Sequence, residues 1–355
     1  MSANILITGG SGYLGGSLLQ SWTKAQISGC DRLFALVRTD DQATAVEKLY
    51  GAEPVRSSLQ EDDITKLIID NSITIVLYLI DAYTADGPFA FIKGLSALKK
   101  ATGQDVHLIF TTGTKQFSSL AGAPTDELLL DTDPNLYTIQ LKQRTRFKEM
   151  EASIETNCRL IEAAERYDVR LYLFSPCIIY GEGTGFGNKI SIQTVDVVVA
   201  AQGSGHVYKI GSERQAWPVC HISDCISLYT TLVKAILRDE NPGHGKYGYY
   251  LASSGRAFWD EIYAAIAKAL VKRNIIKDAT VRLAADSALK TMAEALNVEP
   301  SSVVVKISGE STYTAKHGRL IGWQPVYPPE HILEMLDEEV ELILRNIDPK
   351  LLRIR

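Results

Sequence analysis

Cysteine is scarce in this chain, and its spacing is unpatterned. Cys30, Cys158, Cys177, Cys220 and Cys225 are the five in 355 residues. Five thiols without framework spacing exclude a disulfide scaffold and predict reduced cysteines in a soluble, cytoplasmic protein. Cys220-His221 and Asp224-Cys225 read as a strand end and a helix start rather than metal ligands, so no metal is expected. Long apolar runs are also missing. None approaches the roughly eighteen residues needed to cross a bilayer, so no membrane segment is expected. Positive charge is not in excess; the net charge of −5 argues against a nucleic-acid or anionic-membrane partner. Strand character begins almost at the first residue and leaves no room for a signal peptide. Repeats and low-complexity linkers are absent, which predicts regions that pack as one body. Against these absences, 46% hydrophobic and 22% charged residues supply enough apolar material for a full globular core.

The opening stretch, MSANILITGGSGYLGG, carries the clearest signal. Asn4 to Thr8 form a short apolar run suited to a strand buried on both faces. Gly9, Gly12 and Gly15 follow as G-x-x-G-x-x-G, and Leu14, Leu18 and Leu19 open a helical pattern. Glycines between a buried strand and a helix let the backbone approach a pyrophosphate and present free N–H groups at a helix N-terminus. Gly9, Gly12, Tyr13, Leu14 and Gly15 are therefore expected to bind a dinucleotide. A second buried strand, Arg32 to Val37, ends at Arg38. The side chain at this point reads the ribose: an acid suits a free 2′-hydroxyl and an arginine a 2′-phosphate. Asp40 and Asp41 come slightly late for the acidic role, so the sequence predicts NADP(H), with NAD less favoured.

Strand and helix then alternate. Ala52 to Arg56 reads as an edge strand carrying Pro54, Ile73 to Ile80 as a strongly buried strand ending at Asp81, and Val106 to Phe110 as a fifth strand. A long helical region in two pieces spans Leu136 to about Tyr167, and Arg170 to Phe174 gives a sixth strand. This rhythm implies an α/β fold with a Rossmann-type, doubly wound parallel sheet. Ligands in such sheets lie beyond the carboxyl ends of the strands. Arg38, Ile80, Asp81, Thr111, Thr112, Lys115, Pro176, Ile178 and Ile179 should thus share one edge with the glycine loop. Glycine density rises at Gly181 to Gly187, which marks the crossing into a smaller, mixed C-terminal substrate-binding region. The expected division is residues 1–180 for the dinucleotide-binding domain, with 217–252 returning to it, and 181–216 with 253–355 for the substrate region. Val219 to Asp224 reads as the return to the sheet, a strand running into a capped helix.

The chain resembles an extended short-chain dehydrogenase/reductase of the NAD-dependent epimerase/dehydratase family over nearly its whole length. The residues that carry the resemblance are Thr8-Gly9-Gly10-Ser11-Gly12-Tyr13-Leu14-Gly15, Tyr180-Gly181, Trp217-Pro218-Val219-Cys220-His221-Ile222-Ser223-Asp224 and Leu320-Ile321-Gly322-Trp323-Gln324-Pro325. The resemblance implies a tyrosine acid/base, a lysine four residues on that lowers its pKa, and a serine or threonine after the fifth strand that holds the substrate oxygen. It also implies a dimer built through sheet-flanking helices. Counting forward from Thr112-Gly113 reaches Tyr137, with Lys142 five residues on, roughly 140° around a regular helix. Counting back from Tyr180-Gly181 reaches Met150 and Ile154. The expected catalytic set is Tyr137 with Thr112, Thr114 and Lys142, and Lys115 is a second cation near the same edge.

The leading expectation is an NADP(H)-dependent oxidoreductase acting on a carbonyl or alcohol of a small-molecule metabolite. The alternatives are an epimerase, dehydratase or isomerase that retains NAD(P), and a non-catalytic NADP-binding regulatory protein.

Overall fold

The structure is a computed structural model describing residues 2–347. The outermost ends of the expected domain spans, residue 1 and residues 348–355, lie outside the described residues.

Five strands open the chain: β1 (Ala3–Ile7), β2 (Cys30–Leu36), β3 (Glu53–Val55), β4 (Ile73–Tyr78) and β5 (His107–Thr111). Helices α1 (Tyr13–Trp22), α2 (Asp40–Tyr50), α3 (Glu61–Asp70) and α4 (Asp86–Thr102) alternate with them. After the two-residue β6 (Leu129–Leu130) come α5 (Leu136–Lys142), α6 (Lys148–Tyr167), β7 (Arg170–Pro176) and β8 (Ile178–Tyr180). Then follow α7 (Gln193–Ser204), β9 (Tyr208–Lys209), β10 (Ala216–His221), α8 (Ile222–Leu237), β11 (Tyr249–Ala252) and β12 (Gly255–Phe258). The tail adds α9 (Trp259–Lys272), β13 (Arg282–Leu283), α10 (Asp286–Leu296), α11 (Pro300–Ile307), β14 (Tyr313–Thr314), α12 (His317–Leu320) and α13 (His331–Asn346).

The central sheet has seven strands in the order β11-β7-β5-β4-β1-β2-β3. Every pairing in it is parallel. Its order runs outward from β1 in both directions, the doubly wound arrangement that right-handed crossovers produce. All six residues of β4 are buried, as expected for a strand covered by helices on both faces. Pro54 sits in β3 at the sheet edge, where its missing N–H costs no ladder bond.

One expectation changes here. Ala216–His221 does not return to the central sheet; it pairs in parallel with β8 and antiparallel with β12 in a separate three-stranded sheet. Only β11 rejoins the large sheet. An apolar run suits either sheet equally, and pairing depends on which edge is open. α8 is nevertheless capped as expected, by the His221 ring accepting from the Ser223 N–H at 3.3 Å. The described residues bury two apolar cores. One surrounds the central sheet and includes Tyr313 and Trp323 from the tail. The other lies among β8, β10, α7, α9, α10 and α13. Between them opens a cavity at the carboxyl ends of the central strands.

Candidate active site

The glycine loop forms one wall of a cavity of about 410 Å³. Gly9 adopts a positive φ of 70°, and a Cβ there would lie 2.6 Å from the Leu79 carbonyl oxygen. A Cβ on Gly15 would lie 2.3 Å from the Gly9 carbonyl oxygen, so the first turn of α1 rests directly on the loop that feeds it. Gly12 occupies the N-cap and leaves α1 without a side-chain cap. Its first N–H groups and helix dipole are thereby available to an anion. Gly9, Gly12, Tyr13, Leu14 and Gly15 all line the cavity. The fit to a dinucleotide pyrophosphate rests on this uncapped, closely packed turn. The glycine-rich segment after β8 closes over it: Tyr13 donates to the Gly181 carbonyl at 2.7 Å, and the Asn188 N–H donates to the Ser11 carbonyl at 2.9 Å.

Arg38 lies just past β2, exposed, with its backbone N–H donating to Gln42 Oε1 at 2.8 Å. Gln42 in turn donates from Nε2 to Ser11 Oγ at 3.2 Å, tying the Arg38 segment to the glycine loop. Arg38 stands outside the cavity wall. Asp40 pairs with Arg56, and Thr39 caps α2. Ile80, Asp81, Thr111, Pro176 and Ile179 line the cavity as the strand ends predict. Ile178 does not. Side chains alternate along β8, and Ile178 faces the second core while Ile179 faces the cavity. Asp81 accepts from the backbone N–H groups of Tyr83 at 2.8 Å and Thr84 at 3.1 Å, so its carboxylate caps the turn after β4.

Beyond β5 a short 3-10 turn, Thr114–Phe117, carries the polar side of the cavity. Thr112 Oγ1 lies 2.5 Å from Gln116 Oε1 and 2.8 Å from Asn157 Oδ1, and Thr114 donates to the Pro176 carbonyl at 2.9 Å. With their hydrogens committed, both hydroxyls can offer a ligand only lone pairs. Lys115 lines the same wall, and burial pulls its ammonium pKa down to about 8.

Tyr137 and Lys142 do not reach this cavity. Tyr137 donates to Glu162 Oε1 at 2.8 Å, and the Lys246 ammonium lies 5.1 Å from its ring centre. Glu162 is near the carboxyl end of α6, which leads into β7, and Lys246 immediately precedes β11. Both mark the amino edge of the parallel sheet, opposite the glycine loop. Burial and the Glu162 carboxylate also push the Tyr137 phenol up, away from the phenolate. Lys142 ends α5, exposed to solvent. The helix that does face the cavity is α6, whose first turn contributes Met150. Ile154, four residues on, is buried. The backward count from Tyr180-Gly181 thus reaches the cavity wall at Met150, and neither Met150 nor Ile154 can ionise. Tyr83, Gln116, Asn188 and Gln193 also line the wall; no motif in the sequence distinguishes them. Among the described residues no group of three or more His, Cys, Asp or Glu could hold a metal ion, and no helix is long and apolar enough to cross a membrane.

A glycine-loop cavity at the carboxyl edge of a doubly wound sheet defines a dinucleotide-binding protein. The chain belongs to the NAD dependent epimerase/dehydratase family, whose profile matches residues 5–246, and that is a family of enzymes that work with NAD(P). No curated protein sequence matches it. Solved structures share the fold. UDP-glucose 4-epimerase from Thermotoga maritima, solved with UDP-glucose, is 15% identical with a TM-score of 0.60, covering 97% of this chain and 100% of its own. The dTDP-glucose 4,6-dehydratase of Bacillus anthracis, solved with NAD, is 12% identical with a TM-score of 0.60, covering 98% of each chain. The UDP-glucuronic acid 4-epimerase of Bacillus cereus is 14% identical with a TM-score of 0.59, covering 96% of this chain and 99% of its own.

Proposed function

We propose that this enzyme is an NADP(H)-dependent oxidoreductase acting on a carbonyl or alcohol of a small-molecule metabolite in the cytoplasm. The observation that carries it is the end of β2. Arg38 stands exposed one hydrogen-bonded side chain from the glycine loop, while Asp40, two residues on, is taken up by Arg56. A guanidinium free of carboxylates suits a 2′-phosphate better than a ribose hydroxyl. NADP(H) held at this loop would supply or accept the hydride. The chain's own part is to orient the substrate: Thr112 and Thr114 offer acceptor oxygens to its hydroxyl, and Met150 gives an apolar wall that excludes water.

Titration of the purified protein with NADPH and NADH tests the reading. NADPH should bind at least about tenfold tighter, the scale of one charge-assisted contact, and Arg38→Ala should erase the difference. Equal or tighter binding of NADH would overturn it. Family membership favours a second reading, an epimerase or dehydratase that keeps its NAD(P) through a full cycle. Nucleotide that co-purifies, with no net consumption across a panel of carbonyls and alcohols, would select that one.

A further inference from the structure

Resting on the oxidoreductase reading, we infer that Lys115 is the catalytic proton donor and acceptor of this cavity, taking from a different element the role that the family resemblance gives to a tyrosine. Carbonyl reduction needs a hydride on carbon and a proton on oxygen. The cavity wall leaves few groups able to give the proton. Met150 and Ile154 cannot ionise, and the hydrogens of Thr112 and Thr114 are committed to Gln116 or Asn157 and to Pro176. Tyr137 is at the opposite edge of the sheet. Of the other lining groups, Tyr13 donates to the Gly181 carbonyl at 2.7 Å and Cys177 to the Ala252 carbonyl at 3.0 Å. Thr111 is bonded to Tyr229 at 2.7 Å, Ser191 to Thr194 at 2.6 Å, and Asp81 accepts from the Tyr83 and Thr84 N–H groups, which leaves Lys115 and Tyr83 as the protic groups with an uncommitted hydrogen among the described residues.

Geometry favours Lys115. Its backbone carbonyl accepts from Ser118 at 2.7 Å, and the turn that carries it is closed by Gln116 accepting from the Gly113 N–H at 3.2 Å. Among the described residues its ammonium donates to the backbone carbonyl of Lys306, at 3.5 Å, and pairs with no carboxylate. The nearest buried acid, Asp196 on α7, is held instead by Lys306 of α11, at 3.2 Å and 3.3 Å. Glu149 of α6 acts on Lys115 through space without an ion pair. Burial, together with the like charge of the Lys306 ammonium, outweighs these two carboxylates and brings the Lys115 ammonium towards neutrality, where an acid/base works best. Tyr83 faces the same carboxylates, and both burial and their charge push its phenol up.

In the step, the substrate carbonyl carbon gains the hydride that NADPH would give up from its nicotinamide C–H bond in becoming NADP+, and the C–O double bond becomes single. The oxygen takes a proton from Lys115 Nζ, and solvent returns one to the neutral amine. The reverse reaction runs the same transfers backwards.

Competitive acetylation with trace acetic anhydride, from about pH 6 to about pH 11 and read peptide by peptide, measures each lysine without a substrate. Lys115 should reach half-reactivity near 8; a profile like an ordinary lysine's, near about 10.4, would overturn the inference. With NADPH and a panel of aldehydes and ketones, Lys115→Met should lose at least about a hundredfold in turnover while still binding NADPH. Lys115→Arg should not restore it, because a guanidinium keeps its proton, and methylamine should partly rescue Lys115→Ala. Undiminished turnover in Lys115→Met, or a pH dependence abolished by Tyr83→Phe rather than by Lys115→Met, would overturn the assignment. Failure of NADPH to bind the unaltered protein would sink the oxidoreductase reading itself. Normal NADPH binding with an ordinary Lys115 would sink this inference alone.

Discussion

Lys115 shows how far one side chain's chemistry depends on what surrounds it. A lysine in water is a cation to well above neutral pH, whereas the wall beyond β5 desolvates this one and lowers its pKa to about 8. The sign of the consequence follows directly. Below that value Lys115 is an ammonium and can protonate a carbonyl oxygen; above it the neutral amine can only accept. The kcat/KM for NADPH-driven reduction should therefore be flat at lower pH and fall about tenfold per pH unit above 8. For alcohol oxidation the limb should invert, rising to a plateau above the same point. Paired pH profiles in the two directions check this. Two profiles of the same shape would mean that no single group gives and takes the proton.

At the scale of elements, the site depends on how closely α1 docks against the loop after β1. The Gly15 position touches the Gly9 carbonyl so tightly that a methyl group would sit 2.3 Å from it. Gly15→Ala must push α1 off the loop, with an overpacking cost of about 1–3 kcal/mol. The N–H groups at the start of α1, which the proposed function assigns to the pyrophosphate, would move with the helix. We expect a lower unfolding midpoint by chemical denaturation and at least about tenfold weaker NADPH binding. Unchanged NADPH affinity would mean that the helix terminus does not bind the phosphates.

Elements such as this one were legible in the chain, for a physical reason. A strand covered on both faces must be apolar throughout, so β1 and β4 announce themselves, and a tight turn onto a helix must be glycine, so the loop does too. The partner of β10 was not legible, since an apolar run does not encode which neighbouring edge is open. The catalytic wall was harder still. Tyr137 stands at a suitable residue count from Gly113, but a residue count does not say at which end of a helix a side chain lies. The break between α5 and α6 puts Tyr137 at the amino edge and Met150 at the carboxyl edge. The backward count did reach Met150, which faces the cavity, but nothing marked it as functional because Met150 and Ile154 carry no ionisable group.

Across the whole molecule, a buried carboxylate ties the C-terminal helix to the segment that closes over the glycine loop. Glu339 on α13, near the end of the described chain, accepts from the Gly181 N–H at 2.8 Å, from Thr194 at 3.0 Å and from Ser191 at 3.3 Å. The Gly181 carbonyl, in the next peptide group, accepts from Tyr13 of α1. One residue thus joins the glycine loop, the segment that closes over it, and the C-terminal helix. Burial raises the Glu339 pKa, and its hydrogen bonds oppose that rise, so the carboxyl is held in place at a desolvation cost. Glu339→Ala would leave the Gly181 N–H without its acceptor inside the protein, a loss of about 1–3 kcal/mol. If the network holds the segment shut, the damage should not stay on α13. Hydrogen exchange should quicken at residues 181–192 and in the first turn of α1, and NADPH should bind more weakly. Fast exchange confined to α13, with NADPH affinity intact, would show that the carboxylate only anchors its own helix. Exchange that quickens together on both sides of the cavity would show that the C-terminal core controls access to a cofactor site built by the first residues of the chain.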